Sequence, residues 1–271
     1  MLARFAAAAR PPDFGGRYAG RVAVVTGASA GLGAQLCRDL ARAGATVVGL
    51  ARSEEPLALL STELEADSPK SGTVVCDVAD TAALCAALDR VTAAHGRIDL
   101  LINNAAQDPG VRLVDITEED FRHTFDVNFF PPVAATLHVV PSMVERGRGT
   151  VVMVSSDGGR LPSPGPGAYP SSKAALSAFA ESASFRLARK GVRVHVVYPA
   201  FMPTKLGLGA LGRGLRPPPR LTRRSVTTVS RRILARAGGP SLEISVSGLI
   251  DAAMVFRALM PRTYHRLRRN W

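Results

Sequence analysis

The chain has 271 residues, 46% of them hydrophobic and 21% charged, enough to bury a substantial core in about one large domain. Collagen-like, coiled-coil and mostly disordered classes are excluded, because no repeat period runs through it and apolar residues are plentiful. The net charge of +12 is uneven: residues 1–204 hold 20 basic and 20 acidic side chains, whereas residues 205–271 hold 14 basic ones against only Glu243 and Asp251. Such a basic quarter meets lipid headgroups, nucleic acid or an anionic ligand, or is a solvated face. Cys37, Cys76 and Cys85 show no CxxC spacing, which argues against a disulfide framework and for a reducing, cytoplasmic compartment.

Residues 1–19 read as an N-terminal arm, arginine-bearing but without the apolar core of a secretory signal. Short β-branched runs then alternate with helical patterns. Strands are expected at Val22–Thr26, Thr46–Leu50, Thr73–Cys76, Ile98–Ile102, Thr150–Ser155 and Val192–Tyr198. Most are continuously apolar, as strands covered on both faces of a parallel sheet should be. Leu32, Leu36 and Leu40 recur every fourth residue between the first two, and Gly44 is a helix stop. The alternation predicts an α/β doubly wound sheet in a single domain, with its core over residues 20–204.

After Pro199 the texture changes. Pro203, Gly207, Gly209, Gly212, Gly214 and Pro217–Pro218–Pro219 predict a flexible lid within residues 205–240. Ser225–Ala237 looks helical. Leu242–Val246 is expected as a last strand and Gly248–Leu259 as a final amphipathic helix, both part of the same domain. No stretch reaches the roughly 20 apolar residues of a membrane span.

Directly after the first strand stands Thr26-Gly27-Ala28-Ser29-Ala30-Gly31-Leu32-Gly33, with a helix beginning inside it. Glycines there let the backbone turn tightly and approach a ligand, and a helix N-terminus favours a pyrophosphate. Further on come Asn103-Asn104-Ala105-Ala106, Asn128 between Val127 and Phe129, Ser155-Ser156, Tyr169-Pro170-Ser171-Ser172-Lys173, and Pro199-Ala200-Phe201-Met202-Pro203-Thr204. In this order and strand context the set resembles the short-chain dehydrogenase/reductase family, with TGxxxGxG, NNAG, YxxxK and PGxxxT patterns. Ala106 and Ala200 stand where that pattern has glycines.

The resemblance implies an oxidoreductase that transfers hydride between a nicotinamide cofactor and a carbonyl or secondary alcohol, and assembles as a homo-oligomer; Phe201, Met202 and the Leu206–Leu215 segment suggest a small apolar substrate under a lid. The resemblance assigns catalysis to Asn128, Ser156, Tyr169 and Lys173. It places cofactor contacts on Gly27, Ser29, Gly31, Leu32 and Gly33, on Asp77 and Val78, on Asn104 and Ala105, and on Tyr169 and Lys173. Pro199, Met202 and Thr204 complete the set. A tyrosine is a useful general acid when its pKa, about 10, falls toward neutrality. Lys173, one helical turn after Tyr169, is expected to lower it. Arg52, rather than an acid, follows the second strand, and a guanidinium suits the 2′-phosphate of NADP. NADP is therefore expected over NAD. The five histidines are scattered and show no metal-ligand spacing.

Two rivals stay open. One is an NADP-using isomerase or epimerase of the same fold. The other is a non-catalytic nucleotide-fold protein whose basic C-terminus binds membrane or nucleic acid. Leu249, Ile250, Ala253, Met254, Phe256 and Leu259 can form one apolar face beside Arg262, Arg266, Arg268, Arg269 and Trp271, as in a helix lying at a membrane interface. The same face also suits packing on the core or a subunit contact.

Overall fold

The structure, a computed structural model, describes residues 14–111, 113–162, 167–211 and 220–268. It begins β1 (Val22–Thr26), α1 (Gly31–Arg42), β2 (Thr46–Ala51), α2 (Glu54–Asp67), β3 (Gly72–Val75), α3 (Thr81–His95) and β4 (Leu100–Asn103). Next come α4 (Glu118–Asn128), α5 (Phe130–Glu145), β5 (Gly149–Val154), α6 (Asp157–Arg160), α7 (Ala168–Leu187) and β6 (Val192–Tyr198). The last part is α8 (Lys205–Leu211), α9 (Val226–Arg236), β7 (Glu243–Ser245), α10 (Gly248–Leu259) and α11 (Pro261–Arg268). Seven strands pair in parallel in the order β3-β2-β1-β4-β5-β6-β7. This is the doubly wound sheet that the alternating pattern predicts.

Side chains alternate across each strand, so each strand feeds two cores. Ala23 and Val25 of β1 pack with Leu36 and Leu40 of α1 and with Val229 and Ile233 of α9. Val22 and Val24 face the other layer, with Leu88 of α3, Val139 of α5 and Leu176 of α7. Glu118–Glu145 forms a nearly continuous helix, long and apolar enough to cross a membrane by length and composition. Its Val127, Ala135, Val139 and Met143 lie in that second core, which identifies it as a core helix.

Three boundaries differ from expectation. Residues 1–13 lie outside the described residues, but the core already includes Tyr18, whose hydroxyl donates to the Leu234 carbonyl at 2.6 Å. The expected lid over 205–240 is too long. Within it α9 buries Val229, Ile233 and Leu234 fully, which fixes that helix to the body, and residues 212–219 lie outside the described residues. Finally, α10 is followed by another helix, α11, and buries none of its residues completely.

The apolar face expected on α10 is split. Ile250, Ala253, Met254 and Phe256 are half-buried, while Leu249, Val255 and Leu259 point outward. Polar contacts hold the helix instead. Arg160 of α6 pairs with Asp251 at 3.2 Å and Glu243 at 3.3 Å, and stacks over the Tyr198 ring at 4.1 Å. Arg257 donates to the Arg160 carbonyl. Arg269, Trp271 and the side chain of Arg268 lie outside the described residues.

Candidate active site

The C-terminal ends of β1, β4, β5 and β6 meet at one edge of the sheet, the usual place for ligands in this topology. Gly27 and Gly31 adopt φ values of +69° and +56°, a region that side chains disfavour. A Cβ on Gly27 would lie 2.8 Å from Ala105 Cα, and one on Gly33 would lie 2.1 Å from the Gly27 carbonyl oxygen. A methyl on Gly31 would stand 3.2 Å from Thr204 Cγ2, so the turn touches the Pro199–Thr204 segment. No side chain caps the N-terminus of α1, and no acid occupies its first turn. Those free N–H groups and the dipole fit a pyrophosphate, with Ser29 half-buried beside them and Leu32 turned into the core.

Asn104 braces this turn. Its Nδ2 donates to the Thr26 carbonyl at 2.9 Å, while the backbone N–H groups of Asn104 and Ala105 donate to Thr26 Oγ1. Thr26, Ala105 and Val78 line one small depression. At the ends of β2 and β3, Arg52 Nη1 stands 3.8 Å from Asp77 Oδ2, both side chains exposed. Asp77 Oδ1 also accepts the Ala79 N–H at 3.0 Å, an ordinary turn contact. Thr204 caps the start of α8, accepting the Gly207 N–H on its hydroxyl. Met202 packs against the first core, and Pro199 follows directly on β6.

Tyr169 and Lys173 lie on the first turns of α7, beside the end of β5. The two adjacent serines there part company. Ser155 is buried and donates to the Lys173 carbonyl at 2.9 Å, whereas the Ser156 hydroxyl faces the Tyr169 phenol. Lys173 is almost fully enclosed, and its Nζ donates to the Val154 carbonyl at 2.9 Å. Asn128 is fully buried. Its Oδ1 accepts the Gln107 N–H, and its Nδ2 donates to the Gln107 carbonyl and to Ser172 Oγ. Ser172 in turn donates to the Tyr169 carbonyl at 2.8 Å. The structure thus brings the four expected catalytic residues to one place.

The expected charge effect does not operate in the chain by itself. Burial pushes the Tyr169 phenol up to about 12, outweighing its hydrogen bond with Ser156, and Asp108 and Asp157 push the same way. Burial also pulls the Lys173 amine down to about 7. The ammonium lies 5.9 Å from the centre of the Tyr169 ring, committed to Val154. Desolvation acts on each group directly, and it exceeds the attraction between them.

Residue patterns passed over three contributors. Gln107 and Ser172 hold Asn128 in place through contacts that no local motif marks. Asp157, next to Ser156, has a buried Oδ1 without a hydrogen-bond partner among the described residues, and burial raises its carboxyl to about 7. Its position directly after Ser156, an expected catalytic residue, is the one signal that could have found it.

Comparison with known proteins bears on the family and the fold. The model of a family described as short chain dehydrogenase matches residues 21–209. Dehydrogenase/reductase SDR family member 7B of Bos taurus is 32% identical over 258 residues, covering 91% of this chain and 79% of that protein. The solved structure of an actinorhodin polyketide ketoreductase variant with NADPH superposes with a TM-score of 0.78 at 25% identity, covering 85% of this chain and 97% of that one. That of an NAD+-bound xylitol dehydrogenase superposes at 0.77, with 22% identity over 86% of this chain and 99% of that one, and shares the fold.

Proposed function

This chain belongs to the short-chain dehydrogenase family, and on that premise we propose that it reduces a carbonyl to a secondary alcohol with NADPH, the reverse oxidation using the same groups. The family makes it an oxidoreductase with a nicotinamide cofactor, NAD or NADP. The observation that carries the finer reading is the meeting of Ser156, Tyr169 and Lys173 with a pyrophosphate-shaped turn on one sheet edge.

The cradle of Gly27, Gly31 and Gly33 at the open start of α1 would hold the cofactor's pyrophosphate. Asn104 and Ala105 border it at Gly27 and Thr204 at Gly31, and Asp77, Val78, Pro199 and Met202 would complete the cofactor's contacts. When bound, the cofactor supplies or accepts hydride. The chain's own work is to orient the carbonyl and manage its proton. Ser156 hydrogen-bonds the substrate oxygen as negative charge builds there. Tyr169, protonated at neutral pH, is loaded to donate to that oxygen. Lys173 lies beside it, its Nζ 5.9 Å from the centre of the ring.

Arg52 supports the choice of NADP. It is exposed, it directly follows β2, where the family resemblance puts the cofactor ribose, and its pairing with Asp77 is too long and solvated to hold it there. A panel of apolar ketones and alcohols, followed by absorbance of the reduced cofactor with NADPH and NADH in parallel, tests both parts. Turnover with NADH alone overturns the cofactor choice, and no turnover with either overturns the activity.

A second, independent reading concerns α10 and α11. Leu249, Val255, Leu259 and Met260 are exposed beside Arg262 and Arg266, which supports peripheral attachment to an anionic membrane. Sedimentation with anionic and neutral vesicles at low salt tests it. Failure to pellet with the anionic vesicles rejects it, and size-exclusion chromatography in the same buffer tests a homo-oligomer. The buried Cys37 and Cys76 suit a cytoplasmic site.

A further inference from the structure

The opposite edge of the sheet, where the strands begin, encloses a second concavity of about 330 Å³. It lies roughly 20 Å from the Tyr169 edge, the length of a seven-residue strand at about 3.3 Å per residue. That volume falls at the lower end of small-molecule sites, about 300–1,000 Å³. Arg17 and Arg21, just before β1, stand around it with Arg148, before β5, and Arg193 of β6, drawn from three separate parts of the chain. Thr150 and Arg193 are register partners on β5 and β6, so they project side by side into the same space.

These guanidiniums are poorly compensated. Asp99 is the one carboxylate among the lining residues, and it is already engaged. It is 3% exposed; its Oδ2 accepts the Val22 N–H at 3.0 Å and pairs with Arg97 at 2.9 Å, and its Oδ1 is left, among the described residues, to Arg21 alone, at 3.9 Å. Arg17 is fixed by donation to the carbonyls of Ala235 and Ala237, which neutralises no charge. Among the described residues, Arg148 and Arg193 have no carboxylate within ion-pair distance.

Like charges gathered in a concave wall repel one another unless a counter-anion sits between them. Guanidinium forks match phosphate oxygens in two-pronged fashion. We propose that this cleft binds a polyphosphorylated ligand, a site separate from the cofactor turn and independent of the catalytic reading. A ligand with several negative charges suits it better than a single carboxylate, because four cations face one carboxylate that Arg97 already shares.

The test is calorimetric titration of the full chain with inorganic tripolyphosphate. The cofactor turn also suits phosphates, so three proteins are compared: the parent, the double variant Arg148→Glu/Arg193→Glu and the control Arg52→Glu. The substituted side chains are all exposed, and melting curves of each protein verify folding. The parent should saturate at low salt, with affinity at least about tenfold weaker in the double variant and within twofold of parent in the control. No saturation by the parent, or an equal loss in the control, overturns the site. A second arm uses vesicles carrying a phosphorylated inositol lipid. Pelleting that the double variant loses assigns the phosphates to a headgroup and supports the site. Tripolyphosphate binding without pelleting supports it with a soluble ligand.

Discussion

The two edges of this sheet are built on opposite principles. Where the strands end, polar groups are buried or half-buried and committed: Asn104 to Thr26, Asn128 to Gln107 and Ser172, Lys173 to Val154. Where they begin, arginines are exposed and left largely uncompensated. The first edge is pre-organised for chemistry, because buried side chains held by hydrogen bonds cannot reorient. The second attracts charge across water and holds little in place. A substitution should therefore alter turnover at the first edge and spare it at the second.

The largest separation of the two comes from Tyr169→Phe. It removes the proton donor and keeps the ring, so turnover should fall by at least about a hundredfold, measured by cofactor absorbance. Arg148→Ala, at the other edge, should change turnover by less than about twofold. Near-parental turnover in the tyrosine variant would remove the distinction.

Gly33→Ala comes next. Its methyl would meet the Gly27 carbonyl oxygen at 2.1 Å, a backbone atom that cannot yield. We expect a loss of up to about 3 kcal/mol in denaturant unfolding, together with weakened cofactor binding. Gly238 on the arginine side provides the contrast in space, since a Cβ there would lie 3.7 Å from Thr150 Oγ1, an ordinary contact, although its φ of +83° still disfavours alanine. Arg52→Ala should weaken NADPH relative to NADH by about 2 kcal/mol, read from the two dissociation constants. Equal losses with both cofactors would leave Arg52 a structural residue.

The smallest effects are pH-dependent and sharpen the comparison most. Burial lowers Lys173 from 10.5 to about 7, so between those values the unfolded chain holds a proton that the folded chain lacks. The resulting cost builds up as pH falls from 10.5 and is complete below 7. Lys173→Met removes it, so its melting temperature relative to parent should be higher at pH 6 than at pH 9.5, by about 3 °C or more. Asp157 is the mirror case. Its carboxyl is raised from 3.8 to about 7, so its cost builds up as pH rises through that window and is complete above it. Asp157→Asn should therefore gain more at pH 8 than at pH 4. A melting temperature that responds identically at both pH values would show that burial does not set these pKa values.

Much of this protein is written along the chain. Continuous β-branched tracts such as Val22–Thr26 and Val192–Tyr198 can be read as buried parallel strands, because both faces must be apolar. The glycine turn and the Tyr169–Lys173 spacing are legible for a similar reason: each depends on residues within about eight positions of one another. Properties that depend on distant residues were decided only by folding. Which of two adjacent serines faces Tyr169 depends on how β5 meets α7. Whether an amphipathic helix is buried depends on its neighbours: α9 finds α1, while α10 is held by Arg160 with its outer face exposed. The opposite pKa shifts of Tyr169 and Lys173 arise from enclosure by the fold, which no spacing records. The arginine cleft is the extreme case, since Arg148 and Arg193 join Arg17 and Arg21 only because parallel strands bring their starting ends to one edge.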